Sequence, residues 1–325
     1  MEIHNKVAVL GGSGFIGSRL CKRLKLQGID FCILDIKESE LFPNDWVYAD
    51  ITKPETIDPA LKGVNTIINL AAEHKDNVHP ISLYYDVNVT GAKNICAAAE
   101  RLGITNIVFT SSVAVYGFVE TETGEDGDFN PFNDYGKSKL KAEEVYNQWV
   151  QVSSDRKLVT VRPTVVFGEN NRGNVYNLFK QIASGRFLMI GSGNNKKSMA
   201  YVENMAAFLE HAIKLPEGHH VYNYIDKPDY TMNELTSIIY SSLGKDNKVI
   251  KVPYLIGLAG GYLFDLLSKV TGKEFSVSSI RIKKFCARTQ FKSNNIDNTG
   301  FKAPVSLSQG INNTILNEFV KNESL

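Results

Sequence analysis

The chain has 325 residues, 43% hydrophobic and 22% charged, with a formal net charge of +1. That is long for one domain and short for three, in a composition ordinary for a soluble globular protein. Near-neutral charge implies no bulk attraction for nucleic acid, and no apolar run reaches the ~20 residues that span a bilayer.

Val7–Leu10 is a short apolar run that reads as a buried parallel strand. It enters a glycine-rich turn, after which Phe15, Ile16 and Leu20 continue at helical spacing. Gly12, Gly14 and Gly17 fit G-x-G-x-x-G, and Gly11, Gly14 and Gly17 fit G-x-x-G-x-x-G. In either register the missing Cβ atoms allow a tight turn and a close approach to a pyrophosphate, which the free N–H groups of the helix start then face. Phe31–Leu34 is a second strand ending at Asp35. A carboxylate there, roughly 20 residues past the glycines, can bond both hydroxyls of a ribose and would repel a 2′-phosphate, so NAD is expected over NADP.

Trp46–Ala49 is a third strand, and Asp50-Ile51 after it is placed to close over an adenine; Asp50 can equally form a cap with Thr52. Thr66–Leu70 is a fourth, and the small Ala71-Ala72 lets the backbone pass close to the cofactor. His74 and His79 receive no role. A long helix is expected over Ser82 to Leu102, then a fifth strand, Ile107–Thr110. This alternation predicts an α/β fold: a doubly wound parallel sheet of the Rossmann type with right-handed crossovers. Cys21, Cys32, Cys96 and Cys286 show neither metal nor disulfide spacing, so no metal site is expected. Together with a first strand too near the N-terminus to leave room for a signal peptide, they point to a cytoplasmic chain.

The fifth strand runs into Ser111-Ser112, and Asp134-Tyr135-Gly136-Lys137-Ser138-Lys139 opens a later helix. Tyr135 and Lys139 share a helix face. A lysine ammonium there, with a nicotinamide cation nearby, favours phenolate and makes Tyr135 a base near neutral pH. Ser112, at the carboxyl end of a strand, can bond the same substrate oxygen.

With these residues the chain resembles the extended short-chain dehydrogenase/reductase family, in its nucleotide-sugar epimerase/dehydratase branch. The resemblance rests on Gly11–Gly17, Asp35, Asp50-Ile51, Leu70-Ala71-Ala72, Asn88, Ser111–Gly117, Tyr135–Lys139 and Arg162-Pro163. It implies tightly held NAD, contacted by Gly11, Gly14, Phe15, Ile16, Gly17, Asp35, Asp50, Ile51, Leu70, Ala71, Ala72, Asn88, Tyr135, Lys139 and Pro163. It also implies catalysis by Ser112, Tyr135 and Lys139, substrate contacts at Ser111 and Ser112, and a homodimer built from two helices per subunit. Dehydratases of the family carry an acidic pair where Val113 and Ala114 stand here, so a general acid for water loss is missing. Many UDP-sugar epimerases carry asparagine in place of Val165.

Leu158–Val161 is a sixth strand, and His220–Ile225 reads as a strand returning to the sheet. The expected division is a NAD-binding domain over 1–168, joined by 200–226, and a smaller interleaved C-terminal substrate domain over 169–199 and 227–325. The stretch from Asn170 to Asn177 starts a helix through Ser184; its amide N-terminus, with Arg172, suits a diphosphate, and Arg172 and Asn174 are expected at the substrate. Lys196 and Lys197 follow near the substrate cleft. Tyr254–Phe264 is uncharged and apolar, with Gly257, Gly260 and Gly261 inside it. From Lys245 to Lys292 ten basic residues face three acidic ones, a net seven positive. This is either a buried helix with a solvated basic face or an interfacial element on anionic lipid. With Leu70–Asp76, Ser82–Val89, Arg172–Ile182 and Ser198–Val202, the segment is similar to the subgroup of bacterial 4-epimerases acting on N-acetylglucosaminyl-diphospho-undecaprenol. The similarity implies conversion of lipid-linked GlcNAc to GalNAc for surface polysaccharide and peripheral contact with the inner membrane. UDP-GlcNAc or UDP-glucose epimerisation, and a non-catalytic NAD-sensing module, stand as alternatives.

Overall fold

The protein is described from a computed structural model, over residues 6–75, 78–272 and 278–320. Asp76 of the motif above, and Lys273 and Glu274 of the charged segment, lie outside those residues. Seven strands form one parallel sheet: β1 (Val7–Leu10), β2 (Phe31–Asp35), β3 (Trp46–Tyr48), β4 (Thr66–Asn69), β5 (Asn106–Thr110), β6 (Lys157–Pro163) and, later in the chain, β10 (Gly218–Tyr224). Their order is β10-β6-β5-β4-β1-β2-β3. The sixth strand is longer than its apolar run because β10 pairs with it along its whole length, from Gly218↔Lys157 to Tyr224↔Pro163. Chain order reverses between β4 and β1, which opens a crevice at their carboxyl ends, where open α/β sheets bind ligands.

The central strands are buried on both faces, as continuous apolar runs require. On one side lie α1 (Phe15–Leu26) and, later, α7 (Val202–Ala212), which contribute Leu20, Leu24, Met205 and Phe208 to one core. On the other lie α2 (Pro54–Ala60), α4 (Gly91–Leu102) and α5 (Asp134–Gln151), with Ile57, Ile95, Tyr146 and Trp149. The expected helix from Ser82 to Leu102 is a short α3 (Ser82–Tyr85), a π-helical turn at Asp86–Thr90 and then α4. That wide turn carries Asn88; such turns are frequent at functional sites.

A third core joins β7 (Val165–Phe167), β9 (Lys196–Tyr201), α6 (Asn174–Ala183), α8 (Met232–Ser242) and α11 (Leu307–Ile315). Around it, β11 (Asp226–Thr231) pairs antiparallel with β9, and β8 (Leu188–Ile190) pairs with β12 (Ile250–Val252). The apolar run becomes α9 (Tyr254–Thr271), packed against α10 (Ser279–Cys286). Its inward face is made of glycines. A Cβ on Gly257 would come within 2.5 Å of Ile190, and one on Gly261 within 2.8 Å of Ile282 and Ser279. The large apolar residues point out: Leu255 is 76%, Leu263 57% and Val270 76% exposed, while Gly261 is the buried residue of the helix. Leu255 and Leu263 are therefore not core.

Beneath the crevice a buried ion pair joins α5 to β6. Arg162 Nε and Nη2 donate to the two oxygens of Glu143, at 2.9 and 2.6 Å. Arg162 Nη1 donates to the Tyr116 hydroxyl at 2.6 Å, and that hydroxyl donates to Asn223 on β10 at 2.9 Å. A buried charge is tolerated when paired and hydrogen-bonded, and removing one partner costs about 3–5 kcal/mol. Arg162→Met should lower the unfolding free energy by about that much, seen as a fall in the urea midpoint with an unchanged denaturant slope; a midpoint within error of the parent would show that the pair does not hold the fold.

Candidate active site

The glycine turn is shaped by contact. Gly11 has φ +75°, its N–H donates to Leu34 O at 2.8 Å, and a Cβ on it would lie 2.7 Å from the Ala71 nitrogen. The turn after β1 and the segment Leu70-Ala71-Ala72 after β4 thus meet backbone to backbone. A Cβ on Gly17 would strike Gly11 O and Gly12 at 2.5 Å, so α1 lies directly on the turn. Helix α1 begins with no side-chain cap and no acidic residue in its first turn, which leaves its positive end open to an anion. The Asp35 carboxylate accepts from the N–H groups of Ser13 at 3.1 Å and Lys37 at 3.0 Å. These bonds fix it beside the glycine turn, and a carboxylate has further lone pairs for ribose hydroxyls. An uncapped helix start, a glycine cradle and a fixed acid fit NAD. Asp50 accepts from Thr52 N–H and Oγ1, the cap anticipated for it, and lies 3.5 Å from the Lys53 ammonium. The Ile51 side chain is buried against Gly91, so it is the Asp50 carboxylate and the Ile51 backbone that remain to meet an adenine.

Tyr135 lies in the first turn of α5, whose start is fixed by Asn133 Oδ1 accepting from Gly136 N–H at 2.9 Å. Its hydroxyl neighbours that of Ser112, which favours the phenolate form. Ser112 Oγ accepts from Ala114 N–H at 3.1 Å, which orients the serine at the carboxyl end of β5. Lys139, one turn along α5, is buried, with Nζ donating to Thr110 O at 2.6 Å and lying 4.6 Å from the centre of the Phe109 ring. Burial lowers its pKa to about 7. Burial also pushes the Tyr135 phenol up, opposed by the Ser112 hydroxyl. The lowering expected for the tyrosine invokes a nicotinamide cation as well as Lys139; in the protein by itself, desolvation dominates both groups.

The remaining site residues divide. Gly14, Phe15 and Ile16 stand at the open start of α1, and Pro163 is buried at the end of β6. Asn88 is committed to the protein: Oδ1 accepts from Glu73 N–H, and Nδ2 donates to Glu73 O and to Ser138 Oγ. It ties the loop after β4 to α5 and acts as a positioning residue. Ser111 turns away from the cleft. It is buried and its hydroxyl donates to Glu143. Arg172 lies on the surface over the Tyr176 ring and is paired with buried Glu318 at 2.9 Å, beside the exposed Asn174 that opens α6. Lys197 donates to Ala287 O at 2.6 Å and Lys284 O at 3.0 Å, which pins the end of α10. Glu143, missed in the sequence, was findable: Tyr135, Lys139 and Glu143 recur every four residues on one helix face.

The parallel sheet, its glycine turn and the fixed acid at the end of β2 are those of a dinucleotide-binding fold. Residues 7–224 match the NAD dependent epimerase/dehydratase family, and the chain belongs to it. Over 322 residues it is 49% identical to the N-acetyl-alpha-D-glucosaminyl-diphospho-ditrans,octacis-undecaprenol 4-epimerase of Escherichia coli O157:H7, covering 98% of this chain and 96% of that one. Among solved structures, the UDP-N-acetylglucosamine 4-epimerase of Bacillus cereus superposes with a TM-score of 0.75 at 19% identity, over 96% of this chain and 98% of the other. The UDP-glucose 4-epimerase of Thermus thermophilus, in complex with NAD, gives 0.74 at 21%, with the same coverages. These two likenesses bear on the fold.

The lysines set a pH dependence. Lys139 and Lys197 are lowered by burial to about 7 and about 8, against ~10.4 in an unfolded chain. Between those values the unfolded chain holds more protons, so stability rises with pH. Cofactor-free protein should gain unfolding free energy from about pH 7 towards pH 10. Lys139→Met should flatten the part of that slope nearest neutrality; an identical slope in the variant would show that Lys139 titrates normally.

Proposed function

We propose that this chain inverts C4 of a lipid-linked N-acetylhexosamine, converting GlcNAc-diphospho-undecaprenol to GalNAc-diphospho-undecaprenol for surface polysaccharide (O-antigen) synthesis. The observation that carries the chemistry is the Ser112–Tyr135 hydroxyl pair beside the glycine turn, with Lys139 one turn behind. Similarity over nearly the whole of both chains supports the substrate. NAD, held by the glycine turn and Asp35, supplies a reversible hydride acceptor. Ser112 holds O4 and Tyr135 removes its proton as the C4–H bond breaks. After the 4-keto sugar has turned over, Tyr135 returns the proton to O4, and the hydride that bound NAD would have accepted would return to the opposite face of C4. Lys139 holds the ribose side of the cleft and, with the cofactor's charge, offsets the desolvation of the phenol. Residues 169–199 and 227–325 form the substrate part, and the resemblance supports a homodimer.

The same reading places the enzyme peripherally at the cytoplasmic face of the inner membrane. No described helix is long and apolar enough to cross a membrane, but α9 presents Leu255, Ile256, Leu263, Leu266 and Val270 outward, with Lys251, Lys269, Arg281 and Lys283 exposed around it. Apolar insertion plus ~1 kcal/mol per basic residue gives reversible docking on anionic lipid.

Purified protein incubated separately with GlcNAc-diphospho-undecaprenol and UDP-GlcNAc should form the 4-epimer of the first without net NADH. Tyr135→Phe should lower turnover by about 10²–10⁴ with NAD still bound. Epimerisation of UDP-GlcNAc alone would overturn the lipid-linked reading, and near-normal turnover of the variant the role of Tyr135. For docking, the parent should pellet with anionic vesicles at low salt, and a Leu263→Asp, Leu266→Asp variant should stay in solution with unchanged circular dichroism; equal pelleting of both would remove α9 from the contact.

A further inference from the structure

A cavity of about 360 Å³ opens between the end of β8, the start of α9 and the end of α10. Its size falls in the ordinary range for ligand sites, roughly 300–1,000 Å³. Ile190, Tyr254, Cys286 and Ala287 supply apolar wall, while Ser192, Asn195 and Lys283 supply polar groups. The walls are fixed. Asn233 Nδ2 donates to Ser192 O at 3.0 Å, Asn195 Nδ2 to Phe285 O at 2.8 Å, and Cys286 Sγ to Ile190 O at 3.4 Å. Lys197, on the strand leading to the substrate cleft, holds the Ala287 carbonyl that borders the cavity.

Two features say what fits. The cation is at the rim: the Lys283 ammonium lies 5.5 Å from the centre of the exposed Tyr262 ring on α9, so the mouth combines a positive charge with aromatic surface. The apolar wall is also continuous with the outside, because Tyr254, which lines the cavity, is the first residue of the helix whose outward face is apolar. The Asn195 amide is already committed to Phe285 O, which leaves few polar groups to read a base, while the apolar wall leads onto α9.

The geometry points to this cavity as the seat of the diphosphate-proximal isoprene units of a polyprenyl diphosphate, with Lys283 beside the diphosphate and the chain leaving past Tyr254 along α9. The assignment rests on the lipid-linked reading above and says where the carrier is recognised. It makes the cavity, and not the catalytic residues, the element that selects a lipid carrier over a nucleotide.

Cys286 provides the probe. It is partly exposed, whereas Cys21, Cys32 and Cys96 are buried, so alkylation of the native NAD-loaded enzyme by N-ethylmaleimide should report on this cavity. The rate is followed by mass spectrometry of the Cys286 peptide, with Cys286→Ala as the blank. Farnesyl diphosphate should slow alkylation at least tenfold, while inorganic diphosphate and UDP leave it unchanged. Tyr254→Ala, at an exposed helix start, should need about tenfold more farnesyl diphosphate for the same protection. Equal protection by UDP would assign the cavity to a nucleotide and overturn the inference. Conversion of GlcNAc-diphospho-undecaprenol with no protection by farnesyl diphosphate would overturn the inference and leave the proposed function standing. Protection without conversion would uphold the cavity and overturn the function.

Discussion

The structure depends on a charge that cannot be left alone. Glu143 stands on the inner face of α5, two turns beyond Tyr135, where water does not reach, and Arg162 comes from the neighbouring strand to meet it. A bidentate guanidinium–carboxylate pair fixes direction as well as distance. It sets the rotation of α5 about its axis and hence where Tyr135 and Lys139 emerge. Because Arg162 also binds Tyr116, and Tyr116 binds Asn223, the same pair determines how the segment after β5 and the late strand β10 sit against the catalytic helix. Such pairs add little net stability compared with apolar packing. Here the pair defines one geometry for residues that come from four separate parts of the chain.

The sequence announces what repeats and what cannot be substituted. Apolar strands at regular spacing, a glycine run between strand and helix, and an acid at the next strand end are local patterns, so the sheet and the cofactor crevice are legible from them. Tyr135 and Lys139 are legible for the same reason, since helical spacing alone places them together. Contacts made across the fold are different. Nothing in the neighbourhood of Ser111 says that its hydroxyl faces Glu143 while the next serine faces the cleft; that follows from the pleat of β5 against a helix some thirty residues on. Lys197 reads as an available cation until the end of α10, about ninety residues later, occupies it with carbonyls. The apolar run of α9 is ambiguous in the sequence because hydrophobicity does not carry a direction. The glycines within it resolve the direction, since small residues mark the side on which a helix can approach its neighbour closely.

Desolvation also separates what the chain can hold from what it can do unaided. Burial disfavours the charged forms of both Lys139 and Tyr135 in the protein by itself.

The inward glycines of α9 invert the usual rule for how a surface helix tolerates change. On an ordinary helix the outer positions drift freely and the inner ones are held by packing volume. Here the inner positions are held by the absence of volume: a single methyl at Gly257 or Gly261 would wedge the helix off β8 or α10. The outer positions cost the fold nothing to change, yet they are the ones that meet the surroundings. Sequence drift in this segment should therefore be filtered twice, by sterics on one side and by the medium on the other, with apolar residues exchanging freely among themselves on the outer face.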